Sequence, residues 1–466
     1  MIYRDNKAEQ IKIAYIGGGS RGWAWALMSD LAVCDDLSGD VYLYDIDYES
    51  AKNNEIIGNM FNDIEDTRSK WYYHAVETAK EAYENADFVV ISIQPGSFEA
   101  MASDVHTPEK YGIYQSVGDT TGPGGIVRSM RTVPMFEEIA ECIKTYCPDA
   151  WVINYTNPMA LCVKTLYRVF PEIKAFGCCH EVFQTQDFLR EALKDICGIE
   201  VAKRRDIKIN PVSVNHFTWL TGARYRNLDL FPIYRKFAEK YVAEGYTKGF
   251  DSNWRNSAFA TSNRIKLDLF LRYGYIAAAG DRHLAEFCEG KWYLADPETV
   301  YEWGFALTPI SWRLEDLKDR NERSRRLISG EEKLEIQTSG EDGVDQMRSL
   351  LGLDSLLTNA NIPNVGQIPN LPLGAIVETN AMFHDGAITP VMAGEVRKEI
   401  YSMVSRVCAE QEELDRAIAA RDVEGIFNVF ANDPLVTCSR KDARELFREM
   451  VLNTKEYLGM YDLSNI

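Results

Sequence analysis

Apolar positions fall in short blocks along the first two hundred residues, and each block closes on glycine or a polar turn. Ile11-Lys12-Ile13-Ala14-Tyr15-Ile16 reads as a buried β-strand. It runs into Gly17-Gly18-Gly19-Ser20-Arg21-Gly22, and an apolar helical stretch from Trp23 through Leu31 follows. Val41-Tyr42-Leu43-Tyr44 is a second strand, closed by Asp45-Ile46-Asp47 ahead of a helix from Tyr48 to Phe61. Phe88 to Ile93 is the next strand, ending at Gln94-Pro95-Gly96. Phe136 to Tyr146 has the spacing of an amphipathic helix. Trp151-Val152-Ile153-Asn154 leads into Tyr155-Thr156-Asn157-Pro158, and Lys174 to Cys179 is a short strand ending in His180-Glu181-Val182. Strands alternating with helices at this spacing predict an α/β chain with βαβ units and a mostly parallel sheet.

The pattern changes near Val201. Ile207 to Arg224 reads as extended chain. Helical stretches then dominate, at Pro232 to Ala243, Asn263 to Arg272, Glu315 to Leu327, Ala393 to Ala420 and Lys441 to Tyr457. Ser329 to Gly343 is polar and reads as a loop or mobile insert, and Ala375 to Glu378 as a strand after a turn-rich crossing. Two domains are expected: residues 1–200 as a Rossmann-like dinucleotide-binding sheet, and residues 201–466 as a helix-rich α+β domain for substrate, metal and self-association. Lactate and malate dehydrogenases share this plan.

Composition narrows the function. The formal charge of -19 repels phosphate backbones, and the densest basic run, Lys203-Arg204-Arg205, is too short for a nucleic-acid stripe. No stretch approaches the apolar length of a membrane span, and the N-terminus is too polar for a signal peptide. A cytoplasmic protein is expected, with no nucleic-acid or membrane partner. Several of the ten cysteines sit in apolar segments (Cys142, Cys162, Cys408), as reduced thiols do.

The glycine stretch has strand before it and helix after it, the context in which G-x-G-x-x-G signifies a dinucleotide site. Gly17 allows the tight turn, Gly19 the approach of a pyrophosphate, and Gly22 close helix–strand packing. The helix N-terminus offers its amides to phosphate. Asp45 stands where such folds hold the adenosine ribose, which favours NAD over NADP; Asp47 is placed to cap the following helix instead. The turn at Gln94 should pass near the nicotinamide ribose. Ligands of open parallel sheets bind beyond the strand C-termini, so Gly17 to Gly22, Gln94 to Gly96, Asn154 to Asn157 and Cys179-His180 should line one crevice. Facing them, the candidates among only six histidines are His216 and His283. A thiolate at Cys179 and an imidazole at His216 suit a divalent transition metal.

Several motifs occur here in the order found in glycoside hydrolase family four. They are Gly17-Gly18-Gly19-Ser20, Asp119 to Gly125 followed by Arg128 and Arg131, Asn154 to Pro158, Cys179-His180-Glu181-Val182, and Asn215-His216. From about Lys12 onward the chain resembles that family, an NAD-dependent exception to the two-carboxylate rule for glycosidases. The resemblance implies NAD-assisted oxidation at the sugar C3, proton removal at C2, elimination of the C1 glycosidic oxygen, water addition and return of the hydride. It implies metal ligands Cys179 and His216, usually for Mn²⁺. The leaving-group acid position falls on His180, where phospho-sugar members have Asp. The base falls on Asp281, with Tyr275 second. Ser20 joins Gly17, Gly19, Gly22, Asp45, Gln94 and Asn154 at the cofactor, while Asp119, Arg128, Asn157 and Arg282 meet the sugar.

The Cys-His-Glu-Val form resembles the subgroup associated with α-galacturonides, so the expected activity is α-galacturonidase on a small carbohydrate. A C6 carboxylate wants a bidentate arginine, with Arg128, Arg131 and Arg282 as candidates. Within the same resemblance, α-galactosidase, α-glucosidase and α-glucuronidase stay open; outside it, the rivals are a lactate/malate-type dehydrogenase and a non-catalytic dinucleotide sensor. The long apolar helices suggest a homodimer or homotetramer.

Overall fold

The computed structural model describes residues 1–464 and 466. A short strand β1 (Ile2–Arg4) folds back on β2 (Lys7–Ile16). There follow β3 (Leu37–Tyr44), β4 (Trp71–Val76), β5 (Phe88–Ile91), β6 (Trp151–Asn154) and β7 (Lys174–Gly177). Apart from β1 they lie in the order β4-β3-β2-β5-β6-β7, each neighbouring pair parallel. This is the doubly wound arrangement. Its order reverses between β2 and β5, so a crevice opens beyond the C-terminal ends of those strands. β4 escapes the sequence pattern because only Trp71 and Tyr73 face fully inward.

The second half builds its own antiparallel sheet from β8 (Ile207–Val212), β9 (Trp219–Tyr225), β10 (Leu228–Asp229) and β11 (Ile276–Ala277). Three later strands do not join it. β12 (Leu356–Pro363), β13 (Ile376–His384) and β14 (Ala387–Pro390) pair antiparallel with one another, and Asn361 of β12 bridges to Gly177 of β7. The first sheet thereby grows to ten strands, and its far edge comes from the C-terminal half.

The halves interlock in the core as well. The helix expected over Phe136 to Tyr146 begins at Gly122, so Gly122 to Gly125 form its first turn. Side chains at Gly124 and Gly125 would lie 2.7 Å from the Asp104 carbonyl oxygen and 2.4 Å from the Thr120 carbonyl carbon. This helix packs through Val127, Met130 and Val133 into a core with Phe217, Trp219, Val404, Phe427 and Phe447. Ala393 to Ile400 is not helical, and the helix there spans Tyr401–Ala419. The expected mobile insert is irregular but tied down. Leu334 is buried, the Gln337 amide donates to Ser29 Oγ at 3.3 Å, and the Ser339 amide donates to Asp30 Oδ1 at 2.8 Å. Among the described residues, no helix is long and apolar enough to cross a membrane.

Register in the first sheet depends on close backbone approach at one point. Gly39 of β3 lies opposite Ile11 of β2, and a Cβ there would sit 2.0 Å from the Ile11 carbonyl oxygen. Gly39→Ala is therefore expected to lower stability by about 2–3 kcal/mol, the cost of forced overpacking. Denaturant unfolding checks this, and an unchanged midpoint would contradict the register.

Candidate active site

The glycine turn at the end of β2 is a cradle with no room for side chains. Gly17 sits at φ +92°, and a Cβ on it would lie 2.0 Å from the Ser92 oxygen. The Gly17 and Gly18 amides both donate to the Tyr44 carbonyl at 3.0 Å, and the Ser20 amide donates to the Gly17 carbonyl at 3.0 Å. The Gly19 amide donates to Asp45 Oδ2 at 2.8 Å. A Cβ on Gly19 would meet Ser50 Cβ at 2.7 Å and Asp45 Oδ2 at 3.0 Å. Gly22 caps the helix Trp23–Val33 without a side-chain partner, which leaves first-turn amides for an anion. Asp47 caps the next helix through the Ser50 amide at 3.2 Å, while Asp45 turns to the glycines. These residues fit a dinucleotide. Gln94 lies exposed past the end of β5. Asn154 departs from expectation: it is fully buried, its Nδ2 donates to the Thr156 carbonyl at 2.9 Å, and its Oδ1 accepts from the Thr156 amide at 3.0 Å. Its polar atoms fold the turn that presents Asn157, so none is left for a cofactor.

Across the crevice the sequence's metal pair meets. Cys179, just past β7, places its Sγ 3.3 Å from Nδ1 of His216, which lies between β8 and β9. Asp119, His216 and His283 bring ligand atoms within 4.8 Å of one another. The two imidazole rings lie 4.3 Å apart. Asn157 Nδ2 donates to Asp119 Oδ2 at 3.2 Å, and Arg128 Nε donates to the Asn157 carbonyl at 3.4 Å. Four polar atoms of this group are buried without a partner: His216 Nε2, His283 Nδ1, Asn157 Oδ1 and Arg128 Nη1. Buried polar atoms are nearly always paired, so such a group marks the place of a ligand. A nitrogen, oxygen and sulfur donor set suits a divalent transition ion.

The charges are mutually adjusted. Burial opposes ionisation of Asp119, but His283, Arg128 and His216 outweigh it and hold the carboxyl below its usual range. Burial and the neighbouring His283 keep His216 neutral. Burial likewise opposes Glu181, yet His283, His180 and His216 bring it down to about 2. Its Oε2 accepts the Gly280 amide at 2.7 Å and so fixes the Gly280 to His283 turn. His180 lies between the two halves of the site, 5.9 Å from the Trp23 ring, with Nδ1 3.2 Å from Glu341 Oε1. Burial lowers its basicity, but Glu341 and Glu181 more than offset this and raise its pKa.

The remaining candidates divide. Asp281 is fully buried; its Oδ1 accepts the Lys266 amide at 3.1 Å and its Oδ2 has no partner. Tyr275 does not reach the site. It precedes β11 and lines a surface cleft with Arg224, Tyr273 and Arg397, whereas Asp281 follows that strand. Arg131 is also removed from substrate: both of its Nη atoms pair with the buried Asp104 carboxylate, and its Nε holds the Pro95 carbonyl at 2.9 Å. It fixes the Gln94 turn from below. Arg282 donates to the Ser116 carbonyl at 2.7 Å and has no acidic partner among the described residues.

One functional residue gives no signal in the sequence. Glu378 ends the short apolar run of β13, is 1% exposed, and accepts four side-chain hydrogen bonds with no cation beside it among the described residues. Asn359 and Asn361 Nδ2 donate to Oε1 at 3.0 and 3.2 Å. Asn215 Nδ2 donates to Oε2 at 3.3 Å, as does the Thr218 hydroxyl at short range. Asn359 Nδ2 also lies 3.4 Å from the Cys179 carbonyl. One carboxylate thus ties the His216 turn to the Cys179 strand end.

A dinucleotide cradle facing a cysteine–histidine–aspartate cluster defines a nucleotide-dependent enzyme with a metal site. Residues 12–195 match the model of the Family 4 glycosyl hydrolases, and residues 212–436 match the Family 4 glycosyl hydrolase C-terminal domain. The chain belongs to glycosyl hydrolase family 4. It is 59% identical over 458 residues, covering 98% of each chain, to an alpha-galacturonidase of Thermoanaerobacterium saccharolyticum. The crystal structure of lplD from Bacillus subtilis is 50% identical with a TM-score of 0.90, covering 95% of this chain and 100% of that one. The fold extends to a 6-phospho-alpha-glucosidase from gut microorganisms, solved with NAD and Mn²⁺, at 18% identity and a TM-score of 0.77, covering 97% of this chain and 99% of that one.

If Glu378 sets the distance between Cys179 and His216, Glu378→Gln should weaken Mn²⁺ binding by roughly 10- to 100-fold, the usual effect of losing a partner that orients metal ligands. Titration of Mn²⁺ by electron paramagnetic resonance, alongside a melting curve, checks it. Unchanged metal affinity would make the carboxylate merely structural.

Proposed function

We propose that the protein is an NAD- and Mn²⁺-dependent α-galacturonidase. The observation that carries this is the full-length likeness to an alpha-galacturonidase. The site supports it with a cradle for NAD, a donor set for a divalent ion and arginines that lack acidic partners. Gly17, Gly19, Ser20, Gly22 and Asp45 would hold the dinucleotide, with Gln94 at its nicotinamide end. Cys179 and His216 would hold the metal, with Asp119 and His283 in reach of the same ion. When bound, the two groups supply a reversible hydride acceptor for the sugar C3 and Lewis-acid charge beside it.

The chain's own residues supply the proton chemistry. His180, its pKa raised beside Glu341, is the acid that protonates the departing glycosidic oxygen. Asp281 is the base. Lys266 anchors one of its oxygens, the other is free, and burial raises its pKa as a poised carboxylate requires. Asn157 and Asp119, already joined by a hydrogen bond, hold sugar hydroxyls. Ten free cysteines, six of them buried, support a reducing, cytoplasmic setting.

Hydrolysis of an aryl α-galacturonide should require both NAD⁺ and Mn²⁺ when each is omitted in turn, and absorbance of NADH should stay flat while product accumulates. NADH rising in step with product would make the protein a dehydrogenase. Cleavage of the aryl α-galactoside with the galacturonide left intact would overturn the substrate. Gly19→Val should abolish this cleavage, which has no net redox change, because the cradle has no space for a side chain.

A further inference from the structure

Three arginines near the cluster have no acidic partner within ion-pair distance among the described residues: Arg128, Arg282 and Arg313. Arg128 is 4% exposed and spends its Nε on the Asn157 carbonyl, beside Asp119. The other two are built differently. Arg282 and Arg313 each keep a buried Nε with no partner. The Nε–H and its neighbouring Nη–H form the fork that grips a carboxylate side-on.

Arg313 comes from an element that the sequence reading left out of the site. It lies in the first turn of the helix Ile310–Ser329. That helix is moored at its start, where the Ile310 amide donates to His106 Nε2 at 3.2 Å. Farther along, Arg320 Nη1 donates to the Arg21 carbonyl at 3.3 Å and lies where a Cβ on Gly22 would be. Arg320 also takes Asp316 Oδ2 at 2.7 Å, so that acid is engaged. Arg313 precedes Arg320 by two turns on the same face, about 10 Å along the axis. The helix therefore spans from the phosphate end of the cradle toward the metal cluster.

Arg282 is braced against the same element. Its Nη2 donates to the Thr308 hydroxyl just ahead of that helix, and Phe259 lies under its guanidinium at 4.9 Å. Phe259 in turn meets Trp312, the neighbour of Arg313, edge-on at 4.8 Å. Burial, and then Arg313 itself, lower the Arg282 pKa to about 10, against the opposing pull of Glu286, Glu181 and Asp119.

We infer that Arg282 and Arg313 form a two-arginine clamp for the C6 carboxylate of the uronate, one from the Gly280 turn and one from the long helix. The inference rests on the galacturonide reading. Its test is calorimetry of D-galacturonate binding to the NAD- and Mn²⁺-loaded protein, run beside hydrolysis of aryl α-galacturonide by the wild type. Arg313→Gln and Arg282→Gln should each weaken galacturonate binding roughly 10- to 100-fold, the loss expected for hydrogen bonds to a charge. Arg313→Lys should recover part of it, and NAD and Mn²⁺ affinities should stay within about threefold of wild type. Galacturonate affinity unchanged in Arg313→Gln, or lost in parallel with NAD and Mn²⁺ affinity, overturns the clamp while leaving the activity standing. A wild type that binds and cleaves no galacturonide overturns the activity and the clamp together.

Discussion

The site depends on one buried carboxylate that has no counter-ion. Isolating a charge from water costs several kcal/mol, and nothing cationic offsets it at Glu378. Four polar donors do so instead, from Asn215, Thr218, Asn359 and Asn361. Charge-assisted bonds are stronger than neutral ones, and here they cross between elements. Burial raises the Glu378 pKa while those donors pull against it, so the charge and its donors hold each other in place. The Glu378 amide also donates to the Ser213 carbonyl at 2.8 Å, which stitches β13 to the strand end before His216. Cys179 and His216 belong to different sheets. Without such a bond their separation would be left to general packing, which is too loose for a metal site.

This tie explains why the two halves of the chain are not independent. β12 to β14 widen the first sheet, and the helix Gly122–Tyr146 runs into the second core. The carboxyl that fixes the crevice thus arrives on strands from the far half. A long helix from the same half, Ile310–Ser329, lies over the glycine turn. Crevice walls assembled from both halves bring Asp119, His216 and His283 together.

The same interlocking sets what could be read from sequence. The glycine turn was legible because its requirement is local: Gly17 and Gly19 are dictated by backbone approach within a few residues. The parallel strands were legible as apolar runs bounded by turns. Cys179 stood out by its place at a strand end, and His216 because the chain has only six histidines. Glu378 was not legible, since an acid at the end of an apolar strand reads as its solvent-facing limit. Tyr275 stayed second to Asp281 as the base because sequence distance hides which end of β11 each occupies. Arg131 and Arg128 looked equivalent because only the fold shows that Asp104 consumes one of them. Asn154 looked free because its bonds to Thr156 are visible only once the turn is folded.

Charge at the site runs against charge on the whole. The chain carries -19 formally, yet three guanidiniums without acidic partners among the described residues lie near a cluster in which burial lowers the basicity of His216 and His283. Asp119 and Glu181 supply the opposing charge, and their pKa values are low because they sit among those cations and imidazoles. A negative surface disfavours anions in general, whereas guanidiniums without ionic partners stabilise one that reaches them. For a neutral sugar the unpaired guanidiniums remain an uncompensated cost, because water leaves and nothing replaces it. For a uronate the same guanidiniums gain their missing partner. Selectivity then comes less from tighter contacts to the acid than from the penalty a neutral substrate leaves unrelieved, and discrimination of that kind is the stronger one.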